Sequence, residues 1–268
     1  MQLRGEWLQI DGSTRSGELW AWGEWEPQSR LLRRLHQPDA DAHPACLWLP
    51  YYAVPDDGCE GLHNTDPFIF GDQFLYSNCR QPNSTRLRRL ARGSVIAFGS
   101  HKAGRWLLDT VLVVADFVDY SPSWARSDLA GQAPLAFLDV TGRPLEDNSH
   151  NSACAPSPNH RERCGGPRAC HDPDTTLRLY RGATPTHPVH GMFSFFPAMP
   201  AGGDTGFPRP SVELCESYFT NKPLRSHKQS CDLSRETMAR LWKSLATQVR
   251  SEGLVLGTHA ALPERHEA

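Results

Sequence analysis

The segment LHNTDPFIFGDQFLYSNCRQ, residues 62 to 81, interleaves polar side chains with aromatic ones. Asn64, Asp66 and Asp72 stand among Phe68, Phe70 and Phe74, and Tyr76, Asn78, Cys79 and Gln81 follow at once. Planar rings stack on a heterocycle, while amides and carboxylates pair with the donors and acceptors on its edge. These are the materials of a nucleobase site, with Phe70 and Tyr76 to stack and Asn64, Asp66, Asp72, Asn78 and Gln81 to read the edge. For catalysis, Asp66 or Asp72 is the expected general base, because a carboxylate among phenylalanines is poorly solvated and its pKa rises. The plainer reading is a loop whose Asn and Asp side chains bond their own backbone, as in NTDP, where Asp66 precedes Pro67. Cys79 is a possible nucleophile beside His63 or His101, set against an inert, buried thiol.

A second constellation lies in GELWAWGEWEP, residues 17 to 27, with three tryptophans in six residues. Read as a strand, it places Trp20, Trp22 and Glu24 on one face and Leu19, Ala21 and Gly23 on the other, ending through Trp25 and Glu26 before Pro27. Trp22, Glu24 and Trp25 then suggest a concave site lined by aromatic and acidic groups. Equally, the indoles can fill core space while the glutamates face water. His101, in the SHKAG segment, and Arg181, in LYRG, complete the set of candidate ligand contacts, with Arg181 suited to a phosphate.

A third group sits in HNSACAPSPNHRERCGGPRACHDP, within an insertion over 149 to 173 that lacks core-forming residues. Cys154, His160, Cys164 and Cys170 are candidate ligands for a structural zinc that would staple it. Their spacing, three or five residues between ligands, departs from the paired CxxC of ordinary zinc fingers, and a loop with incidental Cys and His is the alternative.

The elements that must position these groups are mainly strands. Leu107 to Val118 is an apolar, β-branched run with the pattern of a strand buried on both faces, and Ser94 to Phe98 is a shorter one. The SHKAG link suits a hairpin, so the two pair antiparallel. Gln2 to Ile10, Cys46 to Pro55, TLRLYRG, HGMFSFFPAMP and LVLGT read as further extended segments, and Ser13 to Gly17 as a turn. Arg30 to His36 is a short basic helical candidate. Arg86, Arg88, Arg89 and Arg92 flank Leu87 and Leu90 on a helical turn. The clearest helix opens at Ser234 as N-cap, carries Glu236 in its first turn, repeats Met238, Leu241, Trp242, Leu245 and Val249 at helical spacing, and ends near Gly253. The tail ALPERHEA reads as frayed.

With 268 residues and 39% hydrophobic content the chain can bury a substantial core as a single domain, 1 to 268. A formal charge of −2 gives no global electrostatic pull toward nucleic acid, so any such binding rests on local patches. The start, MQLRGEWLQIDG, does not read as a secretion signal, so the eight cysteines are expected to be reduced, and no apolar run has the length of a membrane span. A cytoplasmic protein with no membrane partner is expected.

Phosphate-loop, Rossmann, HExxH, GxSxG and zinc-deaminase signatures are missing. Arg181, Ser194 and Glu213 fall in the order of the arginine, serine and glutamate of ADP-ribosyltransferases, which grip NAD. Their separations leave little chain for the intervening helices, so an NAD-using transferase is the alternative. The succession GEWE, LHNTDPFIFGDQFLYSNCRQ, GSVIAFGS, LDTVLVV, LYRGAT, HGMFSFFPA and PRP, spanning Gly17 to Gly257, is similar to the nucleotide-modification-associated domain families of bacteria and phages. GSVIAFGS, the His101 loop and the long strand ending in VVADFVDY also resemble the barrel core of the PUA-like superfamily, including ASCH and EVE domains. The resemblance implies recognition or alteration of nucleobases in DNA modification or phage defence. The expectation is an α+β protein with a mainly antiparallel, barrel-like sheet and a packed C-terminal helix, binding a nucleotide, nucleobase or modified nucleic acid.

Overall fold

The computed structural model describes residues 1–35, 44–53, 65–102, 104–147, 176–202, 206–215, 218 and 233–266. The fold is α+β and its centre is a closed antiparallel barrel. Strand β1 (Gln2–Leu8) pairs with β2 (Thr14–Ala21), and the turn between them is set by Gly12 at φ 82°. Strand pairing therefore begins at Thr14, inside the stretch expected to turn. The remaining strands β3 (Ser29–Arg34), β4 (Cys46–Ala53), β5 (Leu75–Tyr76), β6 (Val95–Lys102), β7 (Arg105–Tyr120), β8 (Leu177–Gly182), β9 (Phe196–Pro200), β10 (Val255–Ala260) and β11 (Glu264–His266) follow in chain order. Strand β10 lies between β1 and β9, and β9 closes the barrel onto β2.

The expected hairpin is present as β6 and β7, in register from Val95 opposite Val113 to Lys102 opposite Arg105. Its longer strand continues into β8, and β5 pairs with the far edge of β8. Buried on β7 are Leu107, Leu108 and the run Thr110 to Val114; the second half, from Ala115, is half-exposed until Tyr120. Two hydrogen bonds between Val111 and Phe195, at 2.8 and 2.9 Å, fasten this sheet to the segment entering β9.

The helices include α1 (Ala125–Asp128), α2 (Leu135–Phe137) and α3 (Arg235–Ser251). Ser234 caps α3 by accepting from the Thr237 N–H at 3.2 Å, and Gly253 at φ 77° follows its end. Its apolar stripe buries Leu241, Leu245, Ala246 and Val249, the Leu and Val side chains contributing about 1.5 to 3 kcal/mol each. The stripe meets Trp20, Leu108, Val111, Phe195 and Phe207, forming a second core beside that of the barrel.

Two elements differ from expectation. The basic run beginning at Arg30 is strand β3, antiparallel to β4, with a bulge between Leu31 and Arg33. Its residues are helix-compatible, but ladder pairing with β4 determines the conformation. Within the expected frayed tail lies a strand: β11 runs parallel to β4, Glu264 opposite Tyr51, and the Tyr51 and His266 rings lie 4.7 Å apart. The insertion at 149 to 173, with Cys154, His160, Cys164 and Cys170, lies outside the described residues.

Candidate functional site: an indole-walled cavity beside an acidic loop

Past Ala21 the chain leaves the barrel, and Trp22 to Pro27 has no strand partner. The tryptophans of this segment face a cavity of about 590 Å3, within the range of small-ligand sites. Trp20, Trp22 and Trp25 form one wall, the start of β4 with Trp48 another, and Gly206 with Phe207 a third. The third wall depends on glycine: Gly206 has φ 67°, and a Cβ there would lie 3.0 Å from Pro44 and 3.1 Å from Leu35.

The walls are held by polar contacts. Trp22 donates its indole N–H to the Phe207 carbonyl at 3.3 Å, and Trp25 donates to the Gln28 carbonyl at 2.8 Å. The Arg209 guanidinium stands 5.4 Å from the Trp22 ring centre and forks onto both oxygens of Asp109, Nε to Oδ1 at 2.9 Å. Burial raises the Asp109 carboxyl above its ordinary value while Arg209 opposes the rise. Arg33 stands 5.0 Å from the Trp20 ring centre. The Trp20 residue is only 2% exposed, and among the described residues its Nε1 has no hydrogen-bond partner. A buried donor of this kind ordinarily has one.

From the cavity, edge-to-face ring contacts run inward: Trp25 to Phe70 at 5.1 Å, Phe70 to Phe68 at 5.3 Å, Phe68 to Phe137 at 5.5 Å. Phe70 and Tyr76 are thus core rings, at 0% and 1% exposure, and the accessible stacking faces belong to Trp22, Trp25 and Trp48.

The segment from Thr65 to Gln81 is a compact hairpin. Phe68 and Leu75 exchange backbone hydrogen bonds across a turn containing Gly71, at φ 86°. At its base the Asp66 carboxylate accepts from the backbone N–H of Ser77 and Asn78 at 2.8 Å each and of Cys79 at 2.5 Å. The peptide bond between Asp66 and Pro67 is cis. Burial pushes the Asp66 carboxyl up to about 6 against the downward pull of these bonds. Gln81 is committed as well: its amide donates to the carbonyls of Ser77 and Arg178 and accepts from the Arg178 N–H. Tyr76 donates its hydroxyl to the Cys79 carbonyl at 2.6 Å, and the buried Asn78 donates to Ser77 Oγ at 2.9 Å. Asp72 is exposed in the hairpin turn.

The hairpin reaches the tryptophan segment where the Glu26 N–H donates to Thr65 Oγ1 at 3.1 Å. Glu24, whose carboxyl is pushed up to about 7 by desolvation and then by the Asp66, Glu26 and Asp109 charges, is near its titration midpoint at neutral pH. Cys79 is exposed as a residue, yet desolvation, Asp66 and Glu24 push its thiol up to about 12, away from the reactive thiolate. The structure therefore brings Trp22, Trp25 and the Glu24 and Asp66 carboxyls into one neighbourhood.

Other candidates lie apart from the cavity lining. His101 is exposed near the tip of the β6–β7 hairpin. Arg181 pairs with Asp116 at 3.2 Å and donates to Gln132. Ser194, at 2% exposure, accepts from the Val113 N–H at 3.0 Å, and the backbone of Glu213 is tied to Gln248. Asn64 and His63 lie outside the described residues. Sequence reasoning passed over Trp48 and Phe207; Trp48 sits in an otherwise extended apolar run, and Phe207 in a Pro-rich one, so neither had a local signal. Among the described residues no cluster of three or more His, Cys, Asp or Glu is arranged to hold a metal ion, and no helix is long and apolar enough to cross a membrane. Compared with known proteins, the chain matches no family model, no curated protein and no solved structure.

Proposed function

We propose that this protein recognises a nucleobase or nucleotide in the indole-walled cavity, as a step in nucleic-acid modification or phage defence. One observation carries the reading: four tryptophans and Phe207 wall a cavity of about 590 Å3. Indole faces stack on a planar heterocycle, by about 1 to 3 kcal/mol per base. The overall charge of −2 favours a small or extruded ligand over a duplex held by its phosphates. The similarity in segment order to nucleotide-modification-associated domains supplies the biological setting.

Calorimetric titration with nucleosides and nucleoside monophosphates of each base tests this, using Trp48→Ala as the variant. Trp48 lines the cavity but is 41% exposed, so its removal leaves the core intact. Saturable binding that weakens about tenfold in the variant is expected; binding indifferent to Trp48, or none at all, would remove the cavity from the function.

A further inference from the structure

We propose that the arginine-rich loop over 80–92, together with the exposed ring of Phe117, is a docking surface for single-stranded nucleic acid. The loop holds Arg80, Arg86, Arg88, Arg89 and Arg92 and no carboxylate, in a chain whose formal charge is −2. Arg80, Arg86, Arg89 and Arg92 are exposed, and Arg88 is half-buried. Among the described residues no carboxylate pairs with Arg80, Arg89 or Arg92. Positive charges crowded in this way repel one another, and a polyanion relieves the repulsion.

The fold holds this charge in place. Gln81 exchanges hydrogen bonds with the backbone of Arg178 on β8. Two residues further along that strand, the Tyr180 hydroxyl donates to the Leu87 carbonyl at 2.8 Å and accepts from the Leu90 N–H at 3.0 Å. The Gly93 N–H then donates to the Val114 carbonyl of β7 at 2.8 Å. The short 3₁₀ turn Leu87–Arg89 is thereby pinned across both strands, so a partner meets its guanidiniums with little further ordering.

The neighbouring ring decides which polyanion fits. Phe117 lies opposite Tyr180 in the β7–β8 ladder, its ring 6.1 Å from the Tyr180 ring, and is 42% exposed. The Arg178 guanidinium stands over the Phe117 ring at 3.8 Å while pairing with Asp119, and Arg181 pairs with Asp116, so the carboxylates of this face are already engaged. An exposed ring beside a guanidinium cluster matches the alternation of base and phosphate in a single strand: the ring takes an unpaired base and the planar forks take phosphate oxygens. A duplex keeps its bases stacked on one another, and an acidic polypeptide would use the arginines alone. None of these residues lines the indole-walled cavity, so this surface extends the account beyond it.

Fluorescence anisotropy with labelled oligothymidylate and oligouridylate of about 16 nucleotides, on the full chain across a salt series, tests the assignment. Wild type is expected to bind these strands, with log affinity falling against log salt by about 0.7 for each phosphate contacted. Arg89→Ala/Arg92→Ala should weaken binding about tenfold or more and flatten that slope by about 1.4. Arg4→Ala/Arg15→Ala, which removes the same charge from exposed barrel positions, should leave the slope unchanged. Phe117→Ala should weaken binding about tenfold at constant slope. Failure of wild type to bind either strand, or equal losses in the two double variants, would overturn the surface. So would a matched duplex bound more tightly than the strands, or labelled polyglutamate bound as tightly, which would assign the loop to an acidic polypeptide. None of these outcomes depends on whether the cavity takes a mononucleotide.

Discussion

Arg209 forks onto both carboxylate oxygens of Asp109, joining the segment after Gly206 to strand β7, while its guanidinium stands 5.4 Å from the Trp22 ring centre. Both ion-pair partners are about one-fifth exposed, so the pair is shielded from solvent without being sealed from it. Removing one partner strands the other in a poorly solvated place. Asp109→Asn is expected to cost about 2 kcal/mol, less than the breaking of a fully buried pair. Arg209→Lys loses the fork and should cost a similar amount, and the double variant should be little worse than either single one. Urea unfolding of the four proteins checks this; simple additivity would show that the pair does not act as a unit.

The Asp66 carboxylate gathers the amides of Ser77, Asn78 and Cys79 at the base of the hairpin. Asp66→Asn replaces one acceptor oxygen with a donor and leaves buried N–H groups unpaired, at an expected cost of about 1 to 3 kcal/mol. Hydrogen exchange at those three amides should accelerate in the variant. Unchanged protection there would mean that the carboxylate is not what holds the loop.

Glu24 carries a pH signature. Its carboxyl is raised from 4.5 to about 7, so the folded state retains the proton more strongly than the unfolded chain does. The associated stability is fully present below about pH 4.5 and is lost as pH rises through about 7. Asp66, raised to about 6, has the same sign in an overlapping window, but both proteins share it when wild type is compared with Glu24→Gln. The variant, neutral throughout, should gain on wild type between pH 4.5 and 8 in thermal unfolding. A constant difference across that range would contradict the raised carboxyl.

Gly206 holds the third wall of the cavity at φ 67°. Gly206→Ala puts a Cβ in a strained conformation, 3.0 Å from Pro44 and 3.1 Å from Leu35, for an expected loss of about 1 to 2 kcal/mol. Ligand affinity should fall with it, because the wall must shift. Unaltered stability and affinity would show that this wall yields freely.

How much of this was legible in the sequence depended on whether the signal was local. The β6–β7 hairpin announced itself through β-branched runs around a short link, and α3 through its Ser234 cap and apolar stripe. Strand β3 was hidden because its residues suit a helix and only pairing with β4 makes it extended. Strand β11 pairs in parallel with β4, more than 200 residues earlier, a relationship without any local trace. The tryptophan cluster at 20 to 25 pointed to an aromatic recess, but Trp48 and Phe207 come from distant segments. Polarity among the phenylalanines of 66 to 81 was visible; that Asp66 and Gln81 spend it on backbone groups 11 to 13 and 97 residues away was not.

The most direct measurement follows the indole N–H resonances of nitrogen-15-labelled protein during titration with the nucleoside monophosphates, with Trp7 and Trp48 assigned by Trp→Phe variants. Trp48 lines the cavity and is 41% exposed, whereas Trp7 is buried and is not among the lining residues, so Trp7 is the internal control. The predicted result is a saturable shift of the Trp48 resonance, with Trp7 unmoved. A saturating ligand that leaves the Trp48 resonance in place, or moves Trp7 as much, would contradict recognition in this cavity.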